Sequence, residues 1–252
     1  MKVYFVGAGP GDPELITVKA ERLLRNCCIC VYAGSLISTE VLALLPDSAE
    51  KHDSAGLDLE EIGRLFQDAH RRNIDLVRLH SGDPSIYGAI REQMNLLDRW
   101  SIDYEVVPGV SSFQAAAAAL RVELTAPEVA QTIILTRTSG RTAMPPEQEL
   151  DLLAQAHATL CIFLSAHKLV EVAEELAGHY GPQCPVAVVH RASWPDQRIF
   201  WGTLADIAEK TRNAEINKTA MIIVGNALSR GSQASKLYDP AFSHEYRIGK
   251  KA

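Results

Sequence analysis

An α/β fold made of two domains is the architecture this sequence predicts, on three observations. Short apolar runs of strand length alternate with longer segments of helical periodicity. The alternation breaks at Pro108-Gly109 and then resumes. The 252 residues, 47% of them hydrophobic, are enough to bury a core in each half.

The N-terminal domain, residues 1–109, opens with an apolar run at 2–7 and a segment at 15–24 whose apolar residues recur at helical spacing. A strand at 29–32, an amphipathic helix at 58–72, a strand at 75–79, a helix at 86–100 and a strand at 103–107 follow. Strands separated by helix-length segments imply a mainly parallel sheet with helices on both faces. The C-terminal domain, 110–227, begins with an alanine-rich helix at 111–120, read as a closely packed one, and has strands at 131–136, 159–164 and 186–190. Strands at 198–203 and 219–224 flank a helix at 204–211, and Trp194-Pro195-Asp196-Gln197 reads as a hairpin turn, so this second sheet is expected to be mixed. Residues 228–252 turn polar and are expected to form a mobile tail.

The formal net charge of −6 argues against a nucleic-acid binder, which needs a basic face to neutralise phosphates. No apolar run approaches the ~20 residues of a membrane span, and no signal peptide precedes Met1-Lys2-Val3-Tyr4, so a cytoplasmic location is expected. Of the five cysteines, Cys27, Cys28 and Cys30 crowd one stretch. Successive strand residues face opposite ways, so these thiols are expected not to converge and to serve as buried small hydrophobes, with no metal site.

Three loops carry the chemical signal. The first strand ends in Gly7-Ala8-Gly9-Pro10-Gly11-Asp12, where glycines let the backbone turn tightly and approach a ligand. A dinucleotide fingerprint wants glycine in place of Asp12 and an acid ~20 residues on, where Tyr32-Ala33-Gly34 stands instead; a phosphate loop wants Gly-Lys-Ser/Thr. A purely structural turn stays open. The second loop, Ser81-Gly82-Asp83-Pro84-Ser85-Ile86-Tyr87-Gly88, follows the third predicted strand on the same rim, where open α/β sheets place ligands. Pro84 suits a first helical turn, which leaves Asp83 a helix cap as its alternative role. The third loop, Pro108-Gly109-Val110-Ser111-Ser112, again joins strand to helix, with Ser111 a possible cap.

In combination, Gly7 to Pro13, Gly82-Asp83-Pro84 and Pro108 to Ser112 resemble the tetrapyrrole methyltransferases in order and spacing over residues 1–227. Three more specific segments, 32–36, 135–141 and 191–197, resemble the branch that methylates C11 of a corrin intermediate. The resemblance implies the tetrapyrrole methylase fold, two α/β domains with a cleft between them, and a homodimer. It also implies S-adenosylmethionine as methyl donor, S-adenosylhomocysteine as product, and precorrin-4 or cobalt-precorrin-4 as substrate. The positions matching its cofactor contacts are Pro10, Ser81, Gly82, Asp83, Ile86, Ser111, Ser112, Leu164, Ala192 and Ala220, with Asp83 near the methionine or ribose moiety. Where some relatives carry an acid after the second strand, this chain has Ala33-Gly34.

A sulfonium is already a strong methyl donor, so the protein's task is to align donor and acceptor carbon and to exclude water. If a ring proton must leave, His80, beside the second loop, is the candidate base; a strand-end histidine satisfied by backbone is the alternative. Corrin precursors carry acetate and propionate carboxylates, which arginine forks pair with bidentately. Arg137, Arg141 and Arg191 are the candidates, against a reading as solvated surface arginines. Trp194 offers a flat face to the macrocycle or packs in a dimer interface. The competing functions are methylation at another ring position, as in a uroporphyrinogen-III methyltransferase, a non-catalytic nucleoside-binding protein, and a nicotinamide oxidoreductase.

Overall fold

The computed structural model describes residues 1–140, 142–229 and 238–249. Its contacts divide the chain into two units, Met1–Ala119 with Arg191–Gln197, and Leu120–His190 with Arg198–Ala252. The expected boundary at 109/110 therefore moves. The helix after Gly109 groups with the first sheet to Ala119, and so does the turn at 191–197.

The first unit holds strands β1 (Lys2–Gly7), β2 (Ile29–Tyr32), β3 (Glu50–Asp53), β4 (Leu76–His80) and β5 (Asp103–Val107) in the order β3-β2-β4-β1-β5, every pair parallel. Its helices are α1 (Val18–Arg25), α2 (Thr39–Leu42), α3 (Leu59–Arg71), α4 (Arg91–Arg99) and α5 (Ser112–Leu120). Alternation along the strands sorts the core into two layers. Val6, Val77 and Leu79 pack with Ala20, Leu24 and Val41 of α1 and α2. Val3, Phe5, Val31 and Leu76 pack with Ile62, Phe66 and Leu97 of α3 and α4. Asp58 starts α3 with a complete capping box, accepting from the Glu61 N–H while the Glu61 carboxylate accepts from its own.

Two local readings change. No strand is expected over 50–53, where Glu50-Lys51-His52-Asp53 offers no apolar residue; β3 forms there as a sheet edge, which needs no second buried face. The helix expected over 86–100 begins only at Arg91, because Tyr87 and Ala89 adopt left-handed backbone (φ 55° and 49°) that an α-helix does not accommodate. The cysteines also depart from expectation. Cys28 is exposed, whereas Cys27 and Cys30 are buried; the Cys27 thiol donates to the Ile29 carbonyl at 3.0 Å, and its proximity together with burial raises the Cys30 pKa. Among the described residues no group of His, Cys, Asp and Glu is arranged to hold a metal.

The second unit is a mixed sheet of β6 (Ile133–Arg137), β7 (Thr159–Phe163), β8 (Pro185–His190), β9 (Arg198–Thr203) and β10 (Ala220–Val224), ordered β6-β7-β10-β8-β9. Only β6 and β7 run parallel; the other pairs are antiparallel. Helices α6 (Leu150–Ala154), α7 (Leu169–Tyr180) and α8 (Ile207–Thr211) enclose its core. In α7 the residues Leu169, Val172, Ala173 and Leu176, spaced as one helical face, pack on Leu160, Ile162, Val186 and Ile222. Part of the expected tail lies outside the described residues; within 238–249, His244 and Arg247 exchange backbone hydrogen bonds of 2.8 and 2.9 Å. No described helix is long and apolar enough to cross a membrane.

One polar inclusion interrupts the α3/α4 face of the first sheet. Arg78, 5% exposed, donates from Nε to Gln93 Oε1 (3.0 Å) and from Nη1 to the Val31 carbonyl (3.2 Å), and burial lowers its pKa to about 10. His80 on the same face lies 6.0 Å from the Phe5 ring, and its Nε2 has no hydrogen-bond partner. Burial, with a smaller contribution from the Arg78 charge, depresses its pKa from 6.5 to about 3.

Two stability predictions follow from this packing. Phe66 is fully buried and meets Phe5 edge-on at 6.4 Å, so Phe66→Ala should cost the first unit about 3–5 kcal/mol, read as a lower urea midpoint. The unfolded chain protonates His80 below pH 6.5 and the folded chain only near pH 3, so this group costs stability as pH falls through that window. His80→Leu should therefore lose about 2 kcal/mol less than the wild type between pH 7 and pH 5. Equal losses in the two chains would show that His80 titrates normally in the fold.

Candidate functional site

The parallel register of the first sheet puts the candidate loops on one rim. Gly7 pairs with His80 and Val6 with Val107, so β1, β4 and β5 release their chains side by side. The loops then touch through bare backbone. A Cβ on Gly7 would stand 2.6 Å from the Gly82 oxygen, and one on Gly109 only 2.2 Å from it, so neither position admits a side chain without moving backbone. Gly9 and Gly82 exchange backbone bonds of 3.3 and 2.8 Å, and Ala8 N–H donates to the His80 carbonyl at 2.7 Å.

Asp83 fastens the second loop to the third. Its Oδ2 accepts from Gly109 N–H at 2.9 Å, and its Oδ1 accepts from Ser85 N–H at 2.8 Å and from the Ser85 hydroxyl. Burial pushes its pKa up, but these donors outweigh that and hold it below the usual value. No helix begins at Asp83, so the helix-cap reading gives way to an inter-loop clamp. Ile86 closes the turn by donating to the Asp83 carbonyl at 3.2 Å. Ser81 precedes it at the end of β4. Ser111 is buried, with its Cα 3.5 Å from where a Gly82 Cβ would lie; its N–H donates to Gln114 Oε1 at 2.9 Å, and Ser112 opens α5.

The glycine loop is held from two further directions. Ser38, buried at the start of α2, donates to the Gly11 carbonyl at 2.6 Å. The turn at 191–197 supplies Trp194, whose Nε1 donates to the Pro10 carbonyl at 2.8 Å, and Ser193, whose hydroxyl accepts from Asp12 N–H at 3.1 Å. The Trp194 indole lies so close to Gly11 that a Cβ there would fall 2.2 Å from Cδ1. Arg191 stacks on the same indole at 4.1 Å and pairs with Asp196. Trp194 therefore spends its polar handle, and part of its surface, on the protein itself. Ala192 is buried in the same turn. No motif singled out Ser38, and Ser193 stood within the 191–197 segment without a role; what both do depends on chain segments far apart in sequence.

His80 sits at this rim by backbone, yet its ring is 4% exposed among the Phe5 cluster with a pKa of about 3, an environment unsuited to a general base near neutrality. The expectation that backbone satisfies its ring also fails, since Nε2 is unpartnered.

In the second unit, register gathers another set at one sheet end: Arg137 pairs with Phe163 ahead of Leu164, and Ala220 pairs with His190. Leu164 is 64% exposed in left-handed backbone (φ 54°), a costly state for a large apolar residue. Arg137 is committed to its own loop, donating from Nη1 to the carbonyls of Thr138 (3.1 Å) and Thr142 (2.9 Å) and from Nη2 to that of Ala143 (2.9 Å). Those bonds use three of the five guanidinium N–H donors to shape the loop and leave Nε–H and one Nη2–H for a carboxylate. The fully buried Ser165 braces it, its hydroxyl accepting from Thr138 N–H at 2.9 Å and donating to the Phe163 carbonyl at 2.7 Å. Arg141 lies outside the described residues.

Known proteins resemble this chain over most of its length. The family profile of the tetrapyrrole (corrin/porphyrin) methylases matches residues 2–208. The chain is 51% identical over 250 residues to a precorrin-4 C(11)-methyltransferase of Pseudomonas aeruginosa, covering 99% of this chain and 100% of that one. It is 50% identical to a cobalt-precorrin-4 C(11)-methyltransferase of Methanocaldococcus jannaschii, covering 99% and 97%. The X-ray structure of a cobalt precorrin-4 methyltransferase superposes with a TM-score of 0.88 at 44% identity over 90% of this chain and 96% of that one. A Thermus thermophilus uroporphyrin-III C-methyl transferase complexed with S-adenosylhomocysteine gives 0.77 at 34% identity, over 90% and 99%. With its glycine-bearing loops on the rim of a parallel sheet and similarity of this extent, the chain belongs to the tetrapyrrole (corrin/porphyrin) methylases.

Proposed function

We propose that this protein transfers a methyl group from S-adenosylmethionine to C11 of precorrin-4 or its cobalt complex, a step of cobalamin biosynthesis. The observation that carries the reading is identity of about one half, end to end, with relatives named for that reaction. The rim of the first sheet fits the donor in kind. Gly82 has a positive φ of 63°, and the glycines of the three loops present bare backbone on this rim that a ligand would meet without side-chain obstruction. We assign cofactor contacts to Pro10, Ser81, Gly82, Asp83, Ile86, Ser111, Ser112 and Ala192 in the first unit and to Leu164 and Ala220 in the second.

When bound, S-adenosylmethionine supplies an electrophilic methyl on a sulfonium. The protein's own work is then placement. Asp83, with both oxygens engaged, keeps the second and third loops in register, and Trp194 and Ser38 fix the carbonyls of Pro10 and Gly11. A preorganised backbone spends no reorganisation energy as the methyl moves. His80, neutral and enclosed, is assigned no proton-transfer step. We also propose a homodimer as the working form, on the family resemblance.

Calorimetric titration with S-adenosylhomocysteine tests the class, with NADH and ATP as controls: saturable binding of the first alone is expected, and preference for a control would overturn the reading. Trp194→Phe keeps the ring but removes the bond to Pro10. It should weaken S-adenosylhomocysteine about five- to tenfold, the worth of one hydrogen bond of about 1–1.5 kcal/mol. Unchanged affinity in a normally folded Trp194→Phe would free the glycine loop from this anchor.

A further inference from the structure

Of the arginines expected to receive substrate carboxylates, Arg137 gives three of its five donors to carbonyls of its own loop, Arg191 is engaged by Trp194 and Asp196, and Arg141 lies outside the described residues. A polycarboxylate macrocycle still calls for cationic groups. The second unit has a separate set of them around a recess of about 380 Å³, lined by His190, Arg198, Asn213, Glu215, Asn217 and Lys218.

Three features qualify this recess as an anion subsite. The first is charge: Arg198 and Lys218 are cationic, His190 is a third basic group, and Glu215 is the single acid in the lining. The second is preorganisation. Arg198 Nη2 donates to the Ala214 carbonyl at 3.0 Å and contacts His190 Nδ1 at 3.4 Å, which holds the guanidinium at the recess, while its Nε and Nη1 make no hydrogen bond to another described residue. Neither Arg198 nor Lys218 forms an ion pair among the described residues, and the amides of Asn213 and Asn217 add donors to the lining. The third is position. His190 is the last residue of β8 and pairs with both Arg198 and Ala220, so the recess opens at the sheet end that also carries Arg137 and Leu164. The chain over 215–219 is bent to line it by left-handed residues at both ends, Glu215 (φ 50°) and Thr219 (φ 55°).

We infer that this recess binds a carboxylate substituent of the corrin substrate, with Lys218 and Arg198 as its cationic receptors. The inference rests on the methyltransferase reading above and adds to it a site for a substrate side chain. Water-exposed charges of this kind act through modest, salt-screened attraction, so the expected effect is on substrate affinity and on its dependence on ionic strength.

The probe is a stable corrin polycarboxylate, dicyanocobyrinic acid, with its methyl ester as the uncharged counterpart, each titrated spectrophotometrically against the full-length protein. Lys218→Glu should weaken the acid about tenfold and flatten its salt dependence, and leave the ester unchanged. Lys218→Arg should restore wild-type affinity. S-adenosylhomocysteine affinity should be the same in all three proteins, which also reports that they are folded. If Lys218→Glu binds the acid as the wild type does while S-adenosylhomocysteine still binds, the subsite is overturned and the methyltransferase reading stands. If the wild type binds neither S-adenosylhomocysteine nor the acid, both fall together.

Discussion

The first unit depends on one constraint: three chains leaving a parallel sheet come so close that only backbone fits between them. Gly7 and Gly109 each meet the Gly82 carbonyl at distances that exclude any Cβ, Gly82 itself adopts the positive φ of 63° that favours glycine, and each of the three belongs to a different strand-to-helix connection. Close approach of this kind turns three separate loops into one surface of peptide groups. It also makes each loop's position depend on the others. The Asp83 carboxylate, the Trp194 indole and the Ser38 hydroxyl then act as fasteners, each spending its polar atoms on a main-chain group across a long sequence interval. A buried carbonyl or amide costs free energy when unpaired, so the same bonds that position the loops also make their burial tolerable.

Most of the sheet-forming segments were legible in the sequence because buried parallel strands are apolar runs, and β1, β2 and β4 read that way, while β5, at the sheet's other edge, alternates Asp103 and Glu105 with Tyr104 and Val106. β3 was not, since an edge strand of four polar residues carries no such signature. The face of α7 was available in principle: Leu169, Val172, Ala173 and Leu176 recur at helical spacing, although no side chain caps its start. The late start of α4 was hidden, because nothing in Tyr87 or Ala89 announces left-handed backbone. The glycine loops of the site could be recognised by composition and order. The use made of Asp83, Arg137 and Trp194 could not, because each is fixed by a partner that only folding brings near: Gly109 for Asp83, the folded-back loop carbonyls for Arg137, and Pro10 for Trp194.

Titratable groups have been placed with a consistent logic. His80 and Arg78 lie under the rim in apolar surroundings that lower both pKa values, which leaves the histidine neutral and the guanidinium charged at pH 7. Arg78 is solvated by a carbonyl and an amide in place of a carboxylate, so it carries an uncompensated positive charge into the core of the unit. That charge is one reason a second proton on His80 is disfavoured. The inclusion therefore stabilises a neutral ring beside the loops, and an acid–base role there would work against the field the protein itself creates.

This arrangement matches what methyl transfer from a sulfonium asks of a protein. The leaving group is already activated, so a strong nucleophile or a tuned proton donor adds little, while misalignment by an ångström removes much of the rate. Side chains that might have served chemistry are accordingly spent on geometry, while Arg198 and Lys218 stand at the end of the second sheet, beside Ala220 and His190, where the inferred subsite would attract substrate carboxylates without entering the reaction. Separating attraction from alignment has a physical advantage: solvated charges at the surface tolerate variation in a macrocycle's side chains, whereas the backbone contacts that set the transfer distance tolerate almost none.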